Sequence, residues 1–274
     1  QYTPGAGWAQ AICYRQDVLQ EDVQESIAVV FGGDGSVASS GFWSALTIAT
    51  TQNLPLLFVI EDNDYAISVT GEHQTPGRNI AQNLAAFHNL HIWDGSGTEP
   101  AETAVLVETA VAFVRQNRRP GLLHLRVPRL SGHSSVDNQA YKSAAEREAE
   151  WARDPIAALR AYLVPALLDE AGWADLRQEA ETAVQAACRT AEATPPAEPA
   201  SVTRFVLSEP DFPQQAGGLV GEGITLPAGT AVPQPADPRR INVIEAIRRT
   251  LDVELALNPR CLVFGEDVGL KGGV

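Results

Sequence analysis

Hydrophobic and polar positions follow two rhythms along residues 1–130. Short apolar runs, IAVVF (27–31), LPLLFVIED (54–62), LHIWDG (90–95) and LLHLRV (122–127), predict four strands. LPLLFVIED is apolar at consecutive positions, as expected of a strand buried on both faces. Between the runs, residues 39–53 and 99–119 repeat apolar side chains at helical spacing, and 79–89 predicts a short helix. Ser39 or Ser40 is placed to cap the first of these helices. Glu99 and Glu102 open the 99–119 helix, and Arg115, Arg118 and Arg119 close it, as the helix dipole favours. Pro120-Gly121 stops it.

This β-α-β-α-β-α-β order implies an α/β fold, a parallel sheet flanked by helices on both faces. Ligands of such sheets sit at the carboxyl ends of the strands. GGDGS (32–36), EDNDY (61–65) and RLSGHSS (129–135) all fall at predicted strand ends, so they are expected to meet.

Residues 143–192 turn helical and charged, and are expected to pack on the side of the first domain. Residues 193–240 are rich in Pro, Ala and Gly and read as a linker. Structure is predicted to resume with an amphipathic helix in INVIEAIRRTLDVELALNP and a strand at CLVF. The expected organisation is a first domain over 1–192, a linker over 193–240 and the start of a second α/β domain over 241–274. The chain has 274 residues and no methionine, opens inside a helical pattern and closes in a loop pattern. We therefore expect a piece of a longer protein.

The net charge of −14 argues against a nucleic-acid partner, which needs a basic footprint. No apolar run reaches the about 18 residues of a membrane-spanning helix, so no membrane partner is expected. Cys13, Cys188 and Cys261 suggest neither zinc spacing nor a disulfide framework, and a reducing cytoplasm is the default.

GGDGS has the glycines of a phosphate loop but an acid where a lysine would help. One reading is a tight turn between strand and helix. The other makes Gly35 and Ser36 backbone donors to phosphate oxygens. Asp34 then avoids repelling the phosphate only by holding a divalent cation, and magnesium fits. A second oxygen ligand is expected at another strand end. Asn63 offers its side-chain carbonyl, and Tyr65 a backbone carbonyl two residues on. The competing reading of EDNDY is an Asx-rich turn. His133 reads either as a solvated loop residue or as a proton donor and acceptor at the site, since imidazole titrates at about 6.5. Ser134, Ser135, Asp137, Tyr141 and Lys142 would order its loop or be ordinary loop polarity, and Arg129 is placed to brace it.

GDG followed by an asparagine at this spacing resembles the thiamine diphosphate motif of thiamine-dependent enzymes. QYTPGAGWAQA is similar to the helix before that motif in alpha chains of decarboxylating 2-oxo acid dehydrogenases. RVPRLSGHSSVDNQAYKS resembles their active-site loop, and residues 241–274 resemble the start of the beta chain. The resemblance implies thiamine diphosphate and Mg2+ as cofactors, with Asp34, Asn63 and the Tyr65 carbonyl on the metal. It implies Gly35 and Ser36 on the diphosphate and His133 both against the cofactor and in catalysis. It departs from the family pattern at Asp62 and Asp64, which put extra negative charge beside the metal.

It further implies decarboxylation of a small 2-oxo acid, with the acyl group passed to a lipoyl-bearing dihydrolipoyl acyltransferase. Branched-chain acids such as 2-oxoisovalerate are the expected substrates; pyruvate or acetoin, a transketolase-like carboligase and a non-catalytic diphosphate-binding module are the alternatives. A homodimer of fused chains, similar to an alpha2-beta2 assembly, is expected. The family's activating glutamate would lie beyond Val274. These residues alone are therefore expected to bind cofactor weakly and not to turn over.

Overall fold

The computed structural model describes residues 1–23, 25–203, 241–257 and 262–263. The chain divides into two compact units, Gln1–Ala187 and Cys188–Val274.

The first unit is built on four strands: β1 (Ala28–Gly33), β2 (Leu56–Asp62), β5 (His91–Ser96) and β6 (Gly121–Arg126). They pair in the order β1-β2-β6-β5, and every pairing is parallel. A two-stranded antiparallel hairpin, β3 (Tyr65–Ala66) and β4 (Val69–Thr70), follows β2. The sequence pattern missed it because two residues cannot display a strand period.

Helices α1 (Tyr2–Asp17), α2 (Ser40–Gln52), α3 (Ile80–Asn83) and α4 (Pro100–Asn117) cover the sheet. The consecutive apolar positions of β2 divide between its two faces. Leu56, Phe58 and Ile60 join Tyr2, Phe42, Leu46 and Leu84 in one core layer. Leu57 and Val59 join Ala110 and Val114 of α4 in the other, with Leu123 and Leu125 of β6. Phe42 anchors the first layer, edge-on to Tyr2 (5.2 Å) and Phe58 (5.8 Å).

Two predicted details change. Ser39 takes the N-cap position of α2, but its hydroxyl donates to the Ser36 carbonyl (2.8 Å) instead of capping. The helix predicted over 79–89 ends at Asn83, after a true cap at Asn79, whose side chain accepts from the Gln82 N–H (2.9 Å). Leu84 then drops into the core, and the chain turns away through a bond from the Phe87 N–H to the Leu84 carbonyl (2.8 Å).

Helices α5 (Ala144–Trp151), α6 (Pro155–Leu163) and α7 (Glu170–Ala193) occupy the predicted charged region. Ser143 and Glu146 form a capping box at α5. In the second unit, α8 (Val243–Leu257) forms where an amphipathic helix was predicted. Most of the predicted linker, the ends of the predicted CLVF strand (261 and 264) and the closing loop pattern lie outside the described residues. Among the described residues, no helix is long and apolar enough to cross a membrane.

Candidate functional site

Parallel register brings the strand ends together. Gly33 of β1 pairs with Glu61 of β2, so Asp34 and Asn63, just past the ends of the two strands, emerge close together. The Asn63 N–H accordingly points at Asp34 Oδ1, at 3.4 Å. The Asn63 side-chain oxygen accepts from the Tyr65 N–H (3.1 Å), an Asx turn. A carbonyl oxygen has two lone pairs, so this bond leaves one for a further partner.

Asp34 is 5% exposed, and its Oδ2 is buried with no hydrogen-bond partner. Burial, with repulsion from Asp62 second, raises its pKa from the ordinary 3.8 to about 6. A small cavity of about 10 Å3, the space of a single water-sized particle, lies between Asp34, Asp62, Asp64 and Thr75. A buried carboxylate oxygen with no donor, beside ion-sized space, suits a hard divalent cation. Among the described residues, no group of three or more His, Cys, Asp or Glu is arranged to hold a metal. The donors predicted here are of other kinds: one carboxylate, one amide and one main-chain carbonyl.

Gly35 and Ser36 lie in a 3-10 turn, Asp34–Ala38, between β1 and α2. The Ser36 hydroxyl is engaged within the protein, with the Tyr2 hydroxyl (2.5 Å) and the Gly33 carbonyl (2.6 Å). Gly35 packs against the hairpin. A Cβ there would lie 2.4 Å from the Ala66 Cβ and 3.2 Å from its Cα. Gly35→Ala should therefore push β3 away and cost about 1–3 kcal/mol. A thermal midpoint equal to wild type would show that this contact yields freely.

Tyr65, whose carbonyl is the third expected donor, meets the loop that follows β6. Its oxygen faces the Arg129 guanidinium, Nη1 at 3.4 Å. Arg129 is 8% exposed, and its Nε and Nη2 lack hydrogen-bond partners. Asp137 lies 3.7 Å from Nη2, near enough for charge attraction and too far for a hydrogen bond. The Lys142 ammonium sits 4.6 Å from the Tyr65 ring centroid, and the Tyr141 ring centroid lies 5.6 Å from it. The loop after β6 is thus seated on Tyr65.

Asp137 organises that loop. Its Oδ2 accepts from the His133 N–H (2.7 Å) and the Tyr141 hydroxyl (3.0 Å), and its Oδ1 from the Gln139 N–H (2.9 Å). The bond from the His133 N–H, with that from Gln139 next, holds the Asp137 carboxyl below the usual range. His133 itself is exposed, and its main chain, not its ring, makes the contacts described. Ser134 and Ser135 are exposed as well.

A wider cleft of about 430 Å3 opens beside the Asp62–Tyr65 turn, walled by Arg78, Arg126 and the α5 residues Glu146 and Glu150. Asp64, in left-handed backbone at φ 63°, pairs with Arg78. The residue missed from sequence is His124. It lies within a predicted strand, LLHLRV, and bridges Asp62 (2.8 Å) and Asp94 (2.9 Å). Nothing local signals this, because the two partners lie on the neighbouring strands.

A parallel α/β sheet with acidic and glycine-bearing loops gathered at its carboxyl edge defines a ligand-binding domain of the doubly wound class. The model of the family described as "Dehydrogenase E1 component" matches residues 1–200, and the chain belongs to that family. The chain is similar to the chloroplastic pyruvate dehydrogenase E1 component subunit alpha-3 of Arabidopsis thaliana. They are 30% identical over 200 residues, 72% of this chain and 46% of the relative. The pyruvate dehydrogenase E1 component subunit alpha of Porphyra purpurea is 32% identical over 151 residues, 55% of this chain and 44% of the relative. The mitochondrial 2-oxoisovalerate dehydrogenase subunit alpha 2 of Arabidopsis thaliana is 28% identical over 188 residues, 64% and 38%. The chain thus spans about half the length, or less, of these curated relatives.

Proposed function

We propose that this chain carries the diphosphate and magnesium half of a thiamine diphosphate-dependent 2-oxo acid dehydrogenase. The observation that carries the reading is the Asp34 carboxylate, buried with a bare oxygen and facing the Asn63 turn. Asp34 and Asn63 would hold magnesium, with the Tyr65 carbonyl as a third donor shared with Arg129. A divalent cation beside Asp34 would offset both the burial and the repulsion that now disfavour its charged form. Gly35 and Ser36 would present backbone N–H groups to the diphosphate. Thiamine diphosphate, when bound, supplies the electron sink that decarboxylation requires. His133, exposed on a loop held by Asp137 and Arg129, would exchange protons with the substrate.

The substrate is a small 2-oxo acid. Branched-chain acids, 2-oxoisovalerate among them, are our first choice; pyruvate is the second, favoured by the names of two of the relatives above. The acyl group would pass to a lipoyl-bearing dihydrolipoyl acyltransferase. We propose an alpha-type domain over 1–192, a linker over 193–240 and a beta-type domain beginning at 241, in a homodimer of fused chains. The amphipathic α8 supports the last boundary. The proposed compartment is the cytoplasm, on the cysteine spacing.

Calorimetry with thiamine diphosphate, with and without magnesium, tests the reading. Binding should require magnesium, and equal binding in chelator would overturn it. Decarboxylation assays of the intact protein with 2-oxoisovalerate and pyruvate then rank the substrates.

A further inference from the structure

His124 lies in β6 and is 1% exposed. Its Nε2 is 2.8 Å from Asp62 Oδ2, at the end of β2, and its Nδ1 is 2.9 Å from Asp94 Oδ1, in β5. Carboxylate oxygens only accept hydrogen bonds, and a neutral imidazole donates from one nitrogen alone. Both contacts are satisfied together when the ring carries both protons. Burial works against that charge, but the two hydrogen-bonded carboxylates outweigh it and hold the imidazole above its ordinary 6.5.

The Asp62 carboxylate is shared. While Oδ2 meets His124, Oδ1 accepts from the Asp64 N–H (2.9 Å) and closes the turn that presents Asn63. Asn63 in turn reaches Asp34. One connected path therefore runs from Asp94 through His124 and Asp62 to the Asn63 turn. The far end is braced too, since Arg126 also pairs with Asp94, and Asn79 reaches it at 3.5 Å. Without charge on the ring, Asp62 would stand as a second uncompensated carboxylate beside Asp34.

We infer that His124 is a positioning residue for the cation and diphosphate site: clamped as an imidazolium between Asp62 and Asp94, it fixes the turn carrying Asn63 and offsets the negative charge gathered around Asp34. This rests on the functional reading above, and it concerns residues that do not themselves touch the cofactor.

Nitrogen NMR of histidine-labelled protein at about pH 7.5, well above the ordinary imidazole value, reads the ring directly. The expected signature is two protonated nitrogens, and a ring with one bare nitrogen overturns the inference. In calorimetry, folded His124→Gln should bind magnesium and thiamine diphosphate about tenfold more weakly, the scale of one charge-assisted hydrogen bond. Wild-type affinity in that variant overturns the inference, even if its thermal midpoint falls, because His124 would then serve the fold alone. Should His124→Gln not fold, Asp94→Asn repeats the test from the more accessible end of the path. A severalfold weaker affinity with a changed ring signature supports the inference; neither change sinks it. Asp34→Ala keeps the two claims apart. If it loses metal-dependent binding while His124→Gln keeps it, this inference alone fails. If the unsubstituted protein shows no such binding, the functional reading falls and this inference with it.

Discussion

Asp34→Asn should separate binding from stability, moving them in opposite directions. Metal-dependent affinity for thiamine diphosphate should fall at least about a hundredfold, because an amide oxygen can still ligate but brings no negative charge to the hard cation. In chelator at neutral pH, the same variant should be more stable than wild type. Asp34 has a folded pKa of about 6 against an ordinary 3.8, so the folded state binds the extra proton. The resulting destabilisation is absent below pH 3.8, grows as pH rises toward 6, and is complete above it. Its full size is about 3 kcal/mol, which asparagine would largely remove. A thermal midpoint raised by about 5–10 °C in chelator, with the acid-side pH dependence flattened, is the expected result. Unchanged affinity would sink the metal assignment. A lower midpoint would mean that another group of the protein compensates the Asp34 charge.

Lys142→Met should be the most damaging change in the loop. The Lys142 side chain is fully buried, donating to the Arg129 carbonyl (3.1 Å) and to Glu150 Oε2 (2.7 Å), over the Tyr65 ring. Removing one partner of such a pair leaves the other charge stranded in a poorly solvated place, and costs about 3 kcal/mol or more. A midpoint drop of about 6–12 °C follows for a unit of this size. Proteases should then cut faster within 129–142, where the loop has lost its seat. The double variant Lys142→Met with Glu150→Leu should recover much of the stability, because it removes the stranded carboxylate as well. If the single variant melts as wild type does, the loop is held by Asp137 and Arg129 without the lysine.

Much of the fold was legible because its signals are local. The uninterrupted apolar run of β2 belongs to a strand buried between two helical layers, and the order of strands and helices left a parallel sheet as the simple solution. The α4 helix ends earlier than predicted, at Asn117: Arg118 follows it in left-handed backbone at φ 52°, and only Arg115 of the three arginines lies in its last turn. The α3 helix was over-extended because propensity continues past Asn83, while the core claims Leu84. At the site, GGDGS and EDNDY could be paired in advance because both sit immediately after strands.

What could be read in advance at the carboxyl edge was the kinds of groups: an acid, an amide, glycines and a histidine loop. Only the tertiary structure decided which of them touch. Register seats Arg129 on the Tyr65 carbonyl and sets His124 between two aspartates. The physical reason is the geometry of a parallel sheet. Its neighbours along the edge are separated by whole crossover helices, so side chains tens of residues apart become adjacent only once the strands have paired.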